Sequence, residues 1–312
     1  VVRGGGANAA AKSPRGAVPR YSPPPARSPG QSFMKSLALF VGLALLAPLA
    51  LPHVAAAQSV FPDKNLEKVV RKYVFAKKNN EEPLTADDVK NISTIEGKNS
   101  QVTNLAGLEH CISLKLLDLE GNEVSDLAPL KDLKEIQSLN LASNKITSIA
   151  PLAELTALQY LQLDNNQIED LSPLAKMDNM MSLYLANNKI KNIETLAKLP
   201  KIHSLYLEGN EGVDLKPLAE LKRLSSLDLS NTGISDLSPL AGHTEIRFLM
   251  LSKNKLTDLT TLVEMAKKDS ESERRFSPFW RIYLGENPLT DATKGAQVEE
   301  LKKLGGKVFL DQ

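Results

Sequence analysis

The sequence predicts an α/β solenoid, a chain coiled turn upon turn with short parallel strands along one side and short helical segments along the other. Three observations predict it. From Leu114 to Lys267 the chain realigns with itself every 22 residues, seven times without a gap. Within each turn, positions 1, 4, 6, 11, 14, 17 and 20 are almost all Leu, Ile, Val or Met. Position 9 is almost always asparagine.

Such self-similarity, at a period of about 20 to 29 residues, is the leucine-rich-repeat signature. Each position has a physical task. Alternation at positions 4 and 6, as in Leu139 and Leu141, marks a short strand with those side chains inward, so positions 3 and 5 face the other way. The asparagines (Asn122, Asn144, Asn166, Asn188, Asn210, Asn254 and Asn287) are read as a structural ladder, their amides serving backbone groups at the bend after each strand. Proline at position 16 (Pro129, Pro151, Pro173, Pro217, Pro239) suits the first turn of a helical segment, where no N–H is needed. The aspartates at position 13 (Asp126, Asp170, Asp214, Asp236, Asp258) stand next to that segment, one repeat apart. They are read as its caps rather than as calcium ligands, and neither metal nor cofactor is expected. One repeat cannot bury enough apolar surface to order itself, so only stacking makes it stable.

A weaker turn begins at Ile92 and another runs from Phe279 to about Asp291, so the repeats extend over 92–291. Eleven extra, mostly charged and polar residues at 268–278 interrupt them; these are read as a loop or an extended helix, with a partner-contacting or protease-sensitive loop as the alternative. Three residues break the columns: Gly212 at an inward position, Thr232 among the asparagines and His243 in the last apolar column. They are read as packing adjustments. A helical N-terminal cap is expected over 58–91, with Asp63 capping a helix that carries Leu66, Val69, Val70 and Tyr73, and a capping box at Thr85 to Asp88. A C-terminal cap is expected over 292–312: a helix from Ala292 to Leu304, a stop at Gly305 and Gly306, and a strand from Lys307 to Leu310.

Residues 34–57 combine Met34, Lys35, an apolar run and a final Ala-Ala-Ala, the plan of a secretory signal peptide cleaved after Ala57. The apolar run is about 15 residues, short of the ~20 that a bilayer needs, so no integral span is expected in the mature form. Residues 1–33, rich in Pro, Gly, Ser and Arg, are read as a disordered or untranslated leader. Six of the 38 basic residues lie in the first 57, which hold no acidic one, so the remaining 32 face 37 acidic residues. A mildly acidic body argues against nucleic-acid binding, which relies on clustered Lys and Arg. The single cysteine, Cys111, permits no intrachain disulfide, and the four scattered histidines have no ligand spacing. No nucleophile–base pair or convergent carboxylates stand at fixed spacing, so the chain is not read as an enzyme.

The Phe61 to Asp63 segment, the helical cap and the Asn-x-Ile-x-Asp-Leu-x-Pro-Leu rhythm of Asn166 to Leu174 resemble the internalin-type leucine-rich repeats of bacterial secreted and surface proteins. The resemblance spans about 58–312. It implies a right-handed superhelix with its parallel sheet on the concave face and 3₁₀ or α segments on the convex face. It also implies a ligand-binding role, because members of that family commonly bind proteins. With no sorting motif, cell-wall repeat or lipid-anchor cysteine in view, the expected product is a secreted or periplasmic, monomeric protein.

On that concave face, four of the six tyrosines occupy position 3 or 5. Rigid amphipathic aromatics are common interface anchors. Tyr160, Tyr184, Tyr206, Asp228, Phe248, Met250, Arg281 and Tyr283 therefore form the candidate stripe for a protein or peptide ligand. Glu96 and Asp118 near one end, with Arg247 and Arg281 near the other, suggest a face polarised in charge. The alternatives are a structural spacer or envelope component, and an inhibitor or regulator that acts by binding.

Overall fold

The computed structural model describes residues 58–272, 275–276 and 279–311; the leader and signal-peptide readings at 1–33 and 34–57 lie outside the described residues. Ten three-residue strands form one open parallel sheet in strict chain order. They are β1 (Thr94–Glu96), β2 (Leu116–Asp118), β3 (Ser138–Asn140), β4 (Tyr160–Gln162), β5 (Ser182–Tyr184), β6 (Ser204–Tyr206), β7 (Ser226–Asp228), β8 (Phe248–Met250), β9 (Arg281–Tyr283) and β10 (Lys307–Phe309). Register is exact repeat on repeat: Leu161 pairs with Leu183, Leu183 with Leu205 and Leu205 with Leu227, so each inward position 4 stacks on its copies. These residues and those of position 6 are fully buried in one continuous core.

The bend after each strand has a fixed conformation. Position 8 (Asn99, Gly121, Ser143, Asn165, Asn187, Gly209, Asn231, Lys253, Glu286) is left-handed throughout, with φ between 50° and 73°, which explains the Asn and Gly preference there. At position 9 the ladder closes. Asn188 donates through Nδ2 to the carbonyls of Leu185 and, one turn earlier, Leu163, both at 3.0 Å, and its Oδ1 accepts from the Ile168 amide at 3.0 Å. Asn144, Asn166 and Asn210 repeat that pattern. The side opposite the sheet carries 3₁₀ segments such as Ser172–Lys176 and Lys216–Glu220, with proline in their first turn. Where an aspartate precedes the segment it accepts from the amide two residues on, as Asp170 does from Ser172 at 2.8 Å and Asp236 from Ser238 at 2.8 Å, and Ser148 and Asn192 do the same in their turns.

The three column breaks resolve into two adjustments. Thr232 has no amide to offer the preceding turn; its hydroxyl donates to its own turn's Leu229 carbonyl, at 2.7 Å, and lies 3.2 Å from Asn254 Oδ1 of the following turn. The preceding loop is rerouted: the Gly212 N–H donates to the Thr232 carbonyl at 2.9 Å and Gly212 adopts φ +78°. Gly212 is consequently exposed, not inward, and Val213 fills the core slot. His243 takes the apolar slot of its turn and is 2% exposed, with Nδ1 3.1 Å from the Leu240 carbonyl and Nε2 buried without a partner. Burial holds its pKa below 6.5, and Lys222 adds to this against the raising effect of the Leu240 carbonyl. At high pH the ring is neutral folded or unfolded; as pH falls through about 6.5 the unfolded chain takes a proton that the fold resists, so stability drops. His243→Leu, matching the other turns, is therefore expected to stabilise by about 1 kcal/mol at neutral pH and to flatten the loss of stability towards about pH 5; denaturant melts across that range check it.

Both ends are covered. At the N-terminus, α1 (Lys64–Arg71) and α2 (Ala86–Val89) bury Leu66, Val69, Val70 and Val89. Gly97 holds the first turn's position 6, leucine in later turns, because a Cβ there would stand 2.7 Å from a Val69 methyl. Thr85 and Asp88 form a capping box, and Asp88 is held at about 2: burial opposes this, but hydrogen bonds from Lys77 and Thr85 outweigh it. Near the C-terminus the interruption begins as a helix, α3 (Thr260–Ser270), in place of the 3₁₀ turn. The chain then returns through Phe276, whose ring stacks on Trp280 at 4.4 Å, while Asp269 accepts from the amides of Arg275 and Phe276. The strand of this turn keeps the expected register, but its position 1 does not point inward: Phe279 is 59% exposed, and Trp280, one residue later, is 1% exposed and fills the core. The expected final helix is a π-helical stretch, Thr293–Val298, followed by α4 (Glu299–Lys303).

Candidate binding face of the sheet

Strand alternation and register together place the eight candidate residues on one face. Tyr184, Tyr206, Asp228, Met250 and Tyr283 form a continuous row across β5 to β9. Tyr160, Phe248 and Arg281 stand in the parallel row at position 3. Tyr184 stacks on Tyr206 with ring centroids 4.6 Å apart and planes within 11°, and Tyr160 meets Tyr184 at 5.3 Å in a tilted pair. Hydroxyls fix the outer two rings: Tyr160 donates to Gln162 Oε1 at 2.6 Å, and the Tyr206 oxygen lies 2.8 Å from Ser226 Oγ. Half-buried, stacked and tethered rings lose little freedom when a partner covers them. Phe248 is 40% exposed, with the Arg281 guanidinium 5.3 Å from its ring centre.

Three residues of this face escaped the sequence reading. Phe309 of β10 extends the row and stacks on Tyr283 at 4.7 Å. Its signal was available, since the final strand was expected and Phe309 occupies the position-5 register. Asp164 and Glu208 lie at position 7, just beyond the strand, where the expected two-row face did not reach. Asp164 accepts from Gln162 at 3.0 Å and from the Ala186 amide at 2.7 Å. Burial pushes the carboxyls of Asp164, Glu208 and Asp228 above their usual range, and mutual repulsion adds to the effect at the first two. At the N-terminal end the acidic charge is offset, as Lys98 lies 3.2 Å from Asp118 and 2.7 Å from Glu120. Charge on the face is therefore arranged differently from the end-to-end polarity that Glu96, Asp118, Arg247 and Arg281 suggested.

Elsewhere the chemistry is quiet. Burial, with Glu109 nearby, pushes the Cys111 thiol up to about 12, which leaves it protonated and unreactive. The described residues contain no group of three or more His, Cys, Asp or Glu arranged to hold a metal, and no helix long and apolar enough to cross a membrane.

Family models described as leucine-rich repeats match residues 134–176 and 156–211. No curated protein matches the chain by sequence. Among solved structures, internalin F of Listeria monocytogenes shares 28% identity, covering 82% of this chain and 72% of its own, with a TM-score of 0.70. The chain carries leucine-rich repeats and is similar to the internalins. Internalin C2 of the same organism is 27% identical over 81% of this chain and 94% of its own, at a TM-score of 0.56. The functional domain of InlJ from that organism, which includes a cysteine ladder, is 19% identical over 82% of this chain and 61% of its own, at 0.59, and shares the fold alone. The present chain has a single cysteine, so its turns are joined by the asparagine ladder without a cysteine counterpart.

Proposed function

We propose that this is an exported protein, released from the signal peptide at 34–57, which binds a protein or peptide partner on the concave face of its sheet. The observation that carries the reading is the row of stacked, half-buried tyrosines Tyr160, Tyr184 and Tyr206, continued by Met250, Tyr283 and Phe309 across adjoining strands. A spacer has no need to concentrate four of six tyrosines on one solvent-facing surface. Aromatic anchors at the centre of an interface each contribute on the order of 2 kcal/mol or more. Tyr184→Ala combined with Tyr206→Ala is therefore expected to abolish capture of the partner while the melting transition is largely kept, since neither ring belongs to the core. Quantitative affinity capture with both chains tests this. An identical set of captured proteins would remove the concave face from consideration, and the absence of any captured protein would favour a spacer. Edman sequencing of the exported protein, with Gln58 expected as first residue, tests export.

A further inference from the structure

The open face is not uniform. Between Tyr206 and Tyr283 it sinks into a trough of about 660 Å³, bordered also by Phe248 and Met250 and holding Glu208 and Asp228. Small residues make this depression, since Ser204 and Ser226 stand where β4 carries Tyr160, and Ser230 stands where the β4 turn carries Asp164. Asp228 is 9% exposed, yet among the described residues no Lys or Arg comes within ion-pair distance of Asp228, Glu208 or Asp164. The lysine at the rim, Lys253, is 3.6 Å from Glu286 and offsets Glu208 only at longer range. Elsewhere on the same face acidic groups do have a cation, Lys98 beside Asp118 and Glu120. Among the described residues, the trough thus combines carboxylates without an ion-paired cation with a tyrosine ring supported from behind by Tyr184.

We propose that this trough seats an arginine side chain presented by a partner polypeptide, with its guanidinium at Glu208 and Asp228 and its plane against Tyr206. The inference rests on the reading of the sheet face as a protein-binding surface and names the chemistry that it selects. Charge complementarity chooses a cation, and the surroundings choose arginine over lysine. A guanidinium is planar, stacks on aromatic rings, forks towards carboxylates and gives up water more readily than an ammonium. The apolar walls of Phe248, Met250 and Tyr283 fit the methylene stem. Binding also relieves the raised carboxyls, so affinity strengthens as pH rises through their range.

Met250 supplies a local reporter, because among the described residues the other methionines lie off the trough. The test titrates methyl-labelled full chain with acetyl-Gly-Ser-Arg-Ser-Gly-amide and with the lysine and citrulline versions of that peptide, following methionine methyl resonances by NMR. The arginine peptide is expected to shift Met250 while leaving Met181 in place, the citrulline peptide to leave both unmoved, and the lysine peptide to bind more weakly. Asp228→Asn and Glu208→Gln, each near-isosteric, are expected to weaken the arginine peptide by about tenfold; the second is at an exposed position and spares the fold. No Met250 shift, equal shifts from arginine and either substitute, or unchanged binding in both variants would overturn the proposal. If such a result accompanies partner capture that still depends on Tyr184 and Tyr206, the arginine seat falls and the binding face stands.

Discussion

Asn188→Ala is expected to destabilise the solenoid by about 3 kcal/mol, a large loss for a single polar substitution. The side chain is buried and serves two turns at once. Its amide satisfies the Leu163 and Leu185 carbonyls and its oxygen satisfies the Ile168 amide. Alanine leaves those three backbone groups inside a core that water does not reach, each costing on the order of 1 kcal/mol. Because a solenoid is held by nearest-neighbour contacts, the damage should concentrate at the junction of the two turns instead of spreading evenly. Hydrogen exchange discriminates: the Ile168 amide should lose protection sharply, whereas the Ile146 amide, held by Asn166, should lose protection only with global unfolding. Equal loss at both amides would show that the ladder acts collectively and that this account of one rung is incorrect.

A companion variant sharpens the argument. Asn188→Thr copies the residue found at position 232, yet it is expected to cost nearly as much as alanine. At position 232 threonine is tolerated because Gly212 in the preceding turn can take φ +78° and donate to the Thr232 carbonyl. The corresponding residue before Asn188 is Ile168, a β-branched side chain that strongly resists that conformation. Denaturant melts of the two variants, compared directly, decide whether the ladder needs an asparagine or merely a hydrogen-bonding side chain.

That coupling shows where the sequence was readable and where it was not. Period, apolar columns and the inward alternation of Leu139 and Leu141 depend on residues within one turn, so they appear directly in the chain. Thr232 and Gly212 look like two unrelated breaks in sequence, because what joins them is a hydrogen bond between turns. The ninth strand-bearing turn keeps its phase from Arg281 onward, but its position 1 departs from the pattern for a similar reason. Phe279 fits the 22-residue count, but the interruption before it delivers Phe276 and Trp280 to the core as a stacked pair and leaves Phe279 outside. On the candidate face, Tyr160, Tyr184, Tyr206 and Tyr283 follow from the period alone. Asp164 and Glu208 do not, since the chain bends after position 6 and brings position 7 beside the strand residues.

Asp63→Ala is expected to destabilise the protein by about 2 to 3 kcal/mol, acting on the N-terminal cap. One carboxylate oxygen accepts from the Asn65 and Leu66 amides, at 2.8 and 3.0 Å, and caps α1. The other accepts from the Thr103 amide and hydroxyl and the Asn104 amide, at 2.8, 3.0 and 3.0 Å, and ties that helix to the first turn. Loss of the first set removes a cap, on the order of 1 kcal/mol; loss of the second releases the element that covers the first turn's Ile95 and Gly97 from solvent. Burial alone would raise the carboxyl, but the Thr103, Leu66 and Asn104 hydrogen bonds outweigh it and hold Asp63 below 3.8. The sign follows: a depressed folded pKa contributes stability that is present above the unfolded value and is lost as pH falls through the folded one. Wild-type chain should therefore weaken as pH drops below about 4, and Asp63→Ala, already lacking those bonds, should weaken less over the same interval. Asp63→Asn separates the two roles: its one oxygen can still cap α1, while its amide presents donors to the donors of Thr103 and Asn104. Exchange protection that persists at Leu66 but collapses at Thr103 in that variant would establish Asp63 as the clasp between cap and solenoid, whereas retained protection at Thr103 would place the clasp elsewhere.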